Sequence, residues 1–177
     1  MNKDPVQAAS CVKLLILDVD GVLTDGGLYY DGQGNILKRF HVQDGLGIKL
    51  AQAAGLDIAV ITGLSSGAVR DRVKELGIRD YFPGYTHKMP LLRKLAQDKK
   101  LTFAQMAYLG DDWVDAQAMS HVGMPMAVAN AQPEIKKLAL WISSHKGGHG
   151  AMREAVNFLL HAQGELYKQW EKWLNHA

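Results

Sequence analysis

The chain has 177 residues, enough for one domain with a substantial core, and 47% hydrophobic with 21% charged residues is the balance of a folded chain, not a disordered one. A net charge of +2 with no Lys/Arg block argues against nucleic acid, and no apolar run approaches the roughly 20 residues that span a bilayer, so neither is expected as a partner. The single cysteine, Cys11, rules out an internal disulfide and fits a reducing compartment; with no apolar leader in residues 1–10, a cytoplasmic location is expected.

In chain order, an apolar run over 12–17 predicts a buried strand. Residues 26–40 place two β-prone runs around the Gly/Asp/Asn-rich centre Asp31-Gly32-Gln33-Gly34-Asn35 and predict a hairpin. Helix-like spacing over 46–54, 67–76, 90–98, 113–121 and 133–138 alternates with apolar runs at 58–61, 106–109 and 126–129 and with shorter strand candidates at 81–82 and 141–142. A glycine-rich stretch from Gly147 to Glu154 leads into a last helix from about Ala151 to Leu174, with Gly164 as its weak point. Strands apolar on both faces and separated by helices imply a doubly wound α/β fold with a parallel sheet. The expected organisation is a single domain over 1–177, with a hairpin flap at 26–40 and a C-terminal tail and helix at 145–177.

Ligands of open α/β sheets bind beyond the carboxyl ends of the strands. Those positions carry Asp18-Val19-Asp20-Gly21 after the first strand, Thr62-Gly63 after the second, Lys88 at the helix after the third, and Gly110-Asp111-Asp112-Trp113-Val114-Asp115 after the fourth. Each set has a plain explanation: a turn at Asp20-Gly21, a capping hydroxyl at Thr62, a solvated amine at Lys88, and a helix cap at Asp112 with Asp115 in its first turn. Convergence on one sheet edge is harder to explain that way, because the carboxylates would repel one another. A divalent cation resolves the repulsion, and ligation by oxygen alone selects a hard ion such as magnesium. Asp18 and Asp111 are the side chains expected on the metal, with the Lys88 ammonium offsetting the remaining charge.

This pattern, Asp-x-Asp-Gly-x-Leu-Thr, a strand-end Thr, a Lys, then Gly-Asp-Asp-x-x-Asp, resembles the haloacid dehalogenase superfamily. The resemblance implies that Asp18 is the nucleophile and forms an aspartyl-phosphate. Asp20 protonates the leaving alcohol, activates the water that clears the intermediate, and touches the metal through its carbonyl. Thr62 and Lys88 bind the transferring phosphoryl group, while Asp112 and Asp115 support the metal's surroundings.

Neither Asp20 to Thr62 nor Thr62 to Lys88 leaves room for a cap domain. The hairpin, His41-Val42-Gln43-Asp44-Gly45 and the glycine-rich tail together resemble one capless subfamily, the 3-deoxy-D-manno-octulosonate 8-phosphate phosphatases, over roughly residues 14–164. That resemblance implies a phosphorylated sugar-acid substrate in lipopolysaccharide precursor synthesis and a homotetramer whose hairpins shape neighbouring sites. It also implies substrate contacts from Asp20, His41, Val42, Gln43, Asp44, Gly45, Lys49, Leu64, Arg72 and Lys88, and a candidate lid from a neighbouring subunit at His149 and Arg153. Three positions depart from the subfamily pattern, which commonly has Arg at Gln43, Lys49 and Leu64. Lys49 keeps the charge without the forked geometry, and Leu64 binds no anion.

A nine-carbon sugar-acid phosphate or another small phosphorylated metabolite is therefore the competing substrate. A signalling receiver domain uses a similar acidic cluster, but places its acidic pair after the first strand and its phosphoacceptor after the third; here the third strand ends at Pro83-Gly84, without an acid. A non-catalytic assembly subunit is the remaining alternative, with no missing motif residue in its favour.

Overall fold

The computed structural model describes residues 4–175. Six parallel strands form one sheet: β1 (Leu14–Leu17), β4 (Asp57–Thr62), β5 (Asp80–Pro83), β6 (Met106–Gly110), β7 (Met124–Ala127) and β8 (Trp141–Ile142), in the order β5-β4-β1-β6-β7-β8. The short strands β2 (Tyr29–Tyr30) and β3 (Ile36–Leu37) pair antiparallel in a separate hairpin, which the Thr24↔Phe40 bridge closes at its base. Every residue of β1 is fully buried, as a central strand covered on both faces requires, whereas edge strands β5 and β8 are only partly covered.

Right-handed crossovers place α2 (Val42–Ala53) and α3 (Gly67–Glu75) on one face of the sheet, and α4 (Met89–Lys99), α5 (Trp113–Met119) and α6 (Pro133–Leu138) on the other. The first face is completed by α1 (Pro5–Ser10) and α7 (Ala151–Ala162), which pack on each other, with α7 also lying along α2. Strand order reverses between β1 and β6, so the loops after these two strands flank the crevice where this architecture binds its ligands.

The doubly wound parallel sheet agrees with the sequence reading. Two boundaries, one missed helix and one divided helix differ for identifiable reasons. β7 begins at Met124, two residues before the expected run, and takes in Pro125; the missing proline N–H is tolerated while its carbonyl accepts from Leu140 N–H at 2.9 Å. Helix α2 begins at Val42, not at 46, because its first turn is polar and glycine-containing and gives no apolar periodicity. The sequence reading also missed α1, which has a side-chain cap from Asp4 and proline in its first turn. The last helix is two helices, α7 and α8 (Leu166–Asn175), broken where Gly164 takes a positive φ. No helix among the described residues is long and apolar enough to cross a membrane.

Candidate active site

The β1 loop brings Asp18 to the switch point, and β6 delivers Asp111 on the opposite side of the same crevice. Lys88, at the N-terminal boundary of α4, reaches into the crevice to bridge Asp18 and Asp115. Its ammonium lies 2.9 Å from Asp18 Oδ1 and 2.6 Å from Asp115 Oδ1, and its side chain is almost fully buried. One oxygen from each of Asp18, Asp111 and Asp115 falls within 4.8 Å of the others. With all three ionised, three carboxylates against one ammonium would leave two uncompensated charges, the charge of one divalent cation.

These carboxylates are not equivalent. Asp115 is fully buried, and all its acceptor capacity is in use: Oδ1 accepts from Lys88 and from Tyr108 OH at 2.7 Å, and Oδ2 from the N–H groups of Asp111 and Asp112 at 3.0 and 3.5 Å. Asp112 accepts from Trp113 N–H at 2.7 Å and with Asp115 forms the capping box of α5. The plain capping explanation therefore describes Asp112 well, and Asp115 in part. Asp111 differs: its Oδ1 is buried without a hydrogen-bond partner. A buried, unpaired carboxylate oxygen is costly, and this one faces a site with excess negative charge. All-oxygen donors with an orphaned acceptor fit a hard divalent cation held by Asp18 and Asp111.

Burial and the neighbouring Asp115 carboxylate push Asp18 up to about 7, even though Lys88 opposes the shift. Burial, then Asp18, Asp115 and Asp112, push Asp111 up to about 8. Burial alone would lower Lys88, but the charges of Asp18 and Asp115 override it and hold the ammonium above its ordinary range. The same burial, with Asp115 beside it, keeps the Tyr108 phenol protonated and donating.

Glycine is required where the backbone crosses this cluster. Gly21 has φ +85°, and a Cβ there would sit 2.0 Å from Asp111 Oδ2. Gly147 of the tail packs against that turn so closely that a Cβ would meet the Gly21 carbonyl oxygen at 1.7 Å.

Thr62 is the buried last residue of β4; its hydroxyl accepts from Leu64 N–H at 3.4 Å, while the Leu64 side chain is exposed. Asp20 is not part of the Asp18–Lys88–Asp115 contacts; it pairs with Lys38 of the hairpin. The structure does not gather the expected substrate residues as closely as it does the carboxylates. Asp44 is buried in the first turn of α2, where both oxygens accept backbone N–H groups at the start of α7: Gly150 at 3.2 Å and Arg153 at 2.8 Å. That is a structural cap, a job the expectation of a substrate contact did not include. His41 Nδ1 lies 3.8 Å from Asp44 Oδ2, and Val42 and Gln43 are exposed beside it. Lys49 donates to the Glu75 carbonyl at 3.2 Å, at the end of α3. Arg72 bridges to Glu75 at 2.9 Å, lies over the Phe40 ring and crowds Gly45, where a Cβ would be 2.1 Å from its Nη2.

His149 and Arg153 sit in their own chain beside the hairpin base and α2. Arg39 Nη1 donates to the Gly148 carbonyl at 2.9 Å and lies 3.2 Å from His149 Nε2, while Arg153 packs over Gly47 and donates to Asn157 at 3.1 Å. The tail thus ties the hairpin base to the Gly21 turn.

The sequence reading missed Tyr108 and Lys38. A phenol in an otherwise aliphatic buried strand needs a partner for its hydroxyl, and that was the available signal for Tyr108. Lys38 gave none, because a lysine in a hairpin reads as a solvated edge charge.

A family model described as haloacid dehalogenase-like hydrolase matches residues 80–154. A 3-deoxy-D-manno-octulosonate 8-phosphate phosphatase of Haemophilus influenzae is 43% identical over 154 residues, 87% of this chain and 86% of that protein. The crystal structure of a probable YrbI family phosphatase from Pseudomonas syringae superposes with a TM-score of 0.96 at 41% identity, covering 98% of this chain and 99% of the other. That of the Moraxella catarrhalis 3-deoxy-D-manno-octulosonate 8-phosphate phosphatase, in complex with magnesium, phosphate and KDO, gives 0.93 at 35% identity, covering 96% and 97%. The chain belongs to the 3-deoxy-D-manno-octulosonate 8-phosphate phosphatase family within the haloacid dehalogenase-like hydrolases.

Proposed function

We propose that this chain is a magnesium-dependent phosphatase that hydrolyses 3-deoxy-D-manno-octulosonate 8-phosphate to the free sugar acid and phosphate, in lipopolysaccharide precursor synthesis. Family membership carries the substrate; the observation that carries the chemistry is Lys88 clamped between Asp18 and Asp115, beside the orphaned oxygen of Asp111.

Asp18 is the nucleophile. One oxygen is held by Lys88, leaving the other for attack on phosphorus. Asp115 has no acceptor capacity left for a ligand; it fixes Lys88 and, through the Asp111 N–H, the backbone that aims Asp111. Asp18, Asp111 and the carbonyl of Asp20 would hold magnesium, which when bound would offset the crowded carboxylates and the charge of the phosphoryl oxygens. Thr62 and Lys88 donate to those oxygens, so the phosphoryl group meets Asp18 already oriented. Asp20 gives its proton to the leaving alcohol and later takes one from the water that cleaves the aspartyl-phosphate.

The exposed hairpin carries Leu28, Tyr29, Tyr30 and Leu37 on its surface, and such a patch on an unpaired edge favours burial against other copies. A homotetramer with packed hairpins answers that hazard. It also brings Gln43, Leu64, His149 and Arg153 near a neighbour, where they select the sugar acid.

The test is phosphate release from a panel of phosphorylated sugars and sugar acids, with magnesium and with chelator. A magnesium-dependent preference for 3-deoxy-D-manno-octulosonate 8-phosphate is expected. A flat profile, or preference for a nine-carbon acid phosphate, would mean that Gln43, Lys49 and Leu64 have redefined the pocket. Turnover unaffected by chelator would overturn the metal assignment.

A further inference from the structure

The Lys38 side chain is buried to within 1% of its surface, although it belongs to a hairpin whose neighbouring residues are exposed, and its ammonium donates to Asp20 Oδ1. A flexible amine gives up hydration and rotamer freedom to be held this way, so the contact is a built feature and not an incidental surface pair. Asp20 has little else to fix it. It sits on the turn after β1 with its side chain 30% exposed, and its other side-chain contact is the Thr24 hydroxyl, 3.4 Å from the same Oδ1. Both contacts fall on Oδ1; no side chain among the described residues bonds Oδ2. Just beyond β3, Lys38 and Phe40 both line a cavity of about 420 Å³ with Val42, Ala68, Asp71 and Arg72. The amine therefore stands between that cavity and the turn carrying the acid.

We propose that Lys38 is a positioning residue for leaving-group protonation: by anchoring Asp20 Oδ1 from the hairpin, it presents Oδ2 to the departing alcohol, whose body occupies the cavity beside Phe40 and Arg72. In the step concerned, the bond from Asp18 to phosphorus forms, the ester P–O bond breaks, and the proton on Asp20 Oδ2 passes to the leaving oxygen. Lys38 exchanges no proton and holds no phosphoryl oxygen. The inference rests on the assignment of Asp20 as the acid. It adds that the flap, besides enclosing the site, sets the acid's geometry.

Protonation matters most for poor leaving groups, so the readout is the slope of log kcat/KM against leaving-group pKa across a series of aryl and simple alkyl phosphates, with magnesium present. This ratio reports steps through the first phosphoryl transfer, and is insensitive to breakdown of the aspartyl-phosphate. Lys38→Met should steepen the slope, with losses growing from a few-fold for nitrophenyl phosphate to about 10²-fold for alkyl phosphates, the range of a general-acid contribution. Lys38→Arg should restore most of the wild-type slope. A uniform loss across the series, or one confined to KM, would make Lys38 a substrate anchor or a structural residue and overturn the proposal. Asp20→Asn separates the two readings: it should steepen the slope by itself, and if it does not, the acid assignment fails. If Lys38→Met does not fold, Lys38→Gln carries the same comparison, with thermal melting and light scattering confirming an intact assembly.

Discussion

Asp44 and Arg153 are 109 residues apart in sequence, yet the Asp44 carboxylate accepts the Arg153 backbone N–H at 2.8 Å while its second oxygen accepts from Gly150. A buried acid in the first turn of α2 thus caps α7, whose own boundary residue, Gly150, has no side chain to do so. Asp44→Ala leaves those N–H groups unpaired and removes favourable charge from a helix N-terminus. The expected cost is about 1–2 kcal/mol, or roughly 2–8 °C in Tm for a chain of this size. Asp44→Asn, which keeps one accepting oxygen but puts an NH2 donor in place of the other, should lose less than Ala but not match the wild type. Thermal melting of the three proteins checks this; a Tm unchanged in Asp44→Ala would free Asp44 for the substrate contact expected from the sequence.

Asp18→Asn should separate activity from stability. Turnover should fall by more than about 10⁴-fold, because the amide cannot act as the attacking nucleophile. Stability in metal-free buffer should hold below about pH 7 and rise above it, where Asp18 would otherwise be ionised, since one of three mutually repelling carboxylates then stays neutral and can still accept from Lys88. Phosphate release and melting in chelator report the two quantities. Substantial remaining turnover would sink the nucleophile assignment.

Asp18, Thr62 and Asp111 were legible because each ends or follows an apolar run that becomes a buried strand, whereas Lys88 was placed only by the short candidate at 81–82, which forms the partly covered edge strand β5. The parallel sheet was legible for the same reason. Asp44 was not: its partners are backbone N–H groups of residues more than a hundred positions away, and backbone atoms leave no mark on the sequence. Lys38 was hidden similarly, since only the fold of the hairpin over Asp20 turns a surface-type lysine into a buried one. The start of α2 was missed where a polar, glycine-containing turn is stabilised by packing against α7 instead of by its own periodicity.

The raised Asp18 and Asp111 carboxyls make metal-free stability depend on pH in a definite direction. In the folded chain they titrate near about 7 and about 8, against 3.8 for an ordinary aspartate. Between those values the folded chain holds protons that the unfolded chain has released. The stability they contribute is therefore full below the unfolded value and lost as pH rises through the folded ones. In chelator, Tm should fall between pH 5.5 and 8.5. Magnesium, which binds the ionised carboxylates, should stabilise more at the upper end and flatten the curve. A magnesium increment in Tm that shrinks as pH rises would contradict this placement of the metal.

The tail gives the last prediction. Its backbone is locked to the Gly21 turn and to Asp44, so a ligand would meet its side chains, His149 and Arg153 among them. His149 stands against Arg39 at the hairpin base, and with Gln43 and Arg153 it lines a cavity of about 160 Å³. Glu154 shares that lining, so the rim is polar with Arg153 as its fixed cation; such a rim suits the carboxylate and hydroxyls of a sugar acid and has little to offer an aryl ring. Replacing both His149 and Arg153 by Ala should raise KM for the sugar-acid phosphate by about 10- to 100-fold, the worth of one lost hydrogen bond to a charged group. Nitrophenyl phosphate should suffer at least about fivefold less, since it makes no such contact to lose. If both substrates decline equally while Tm drops, the tail serves the fold. If the sugar-acid phosphate alone declines and Tm holds, it serves recognition. Measuring the same variant as a mixed assembly with Asp18→Asn subunits then separates action within one chain from action on a neighbour, because activity recovers in the mixture only when tail and nucleophile come from different subunits.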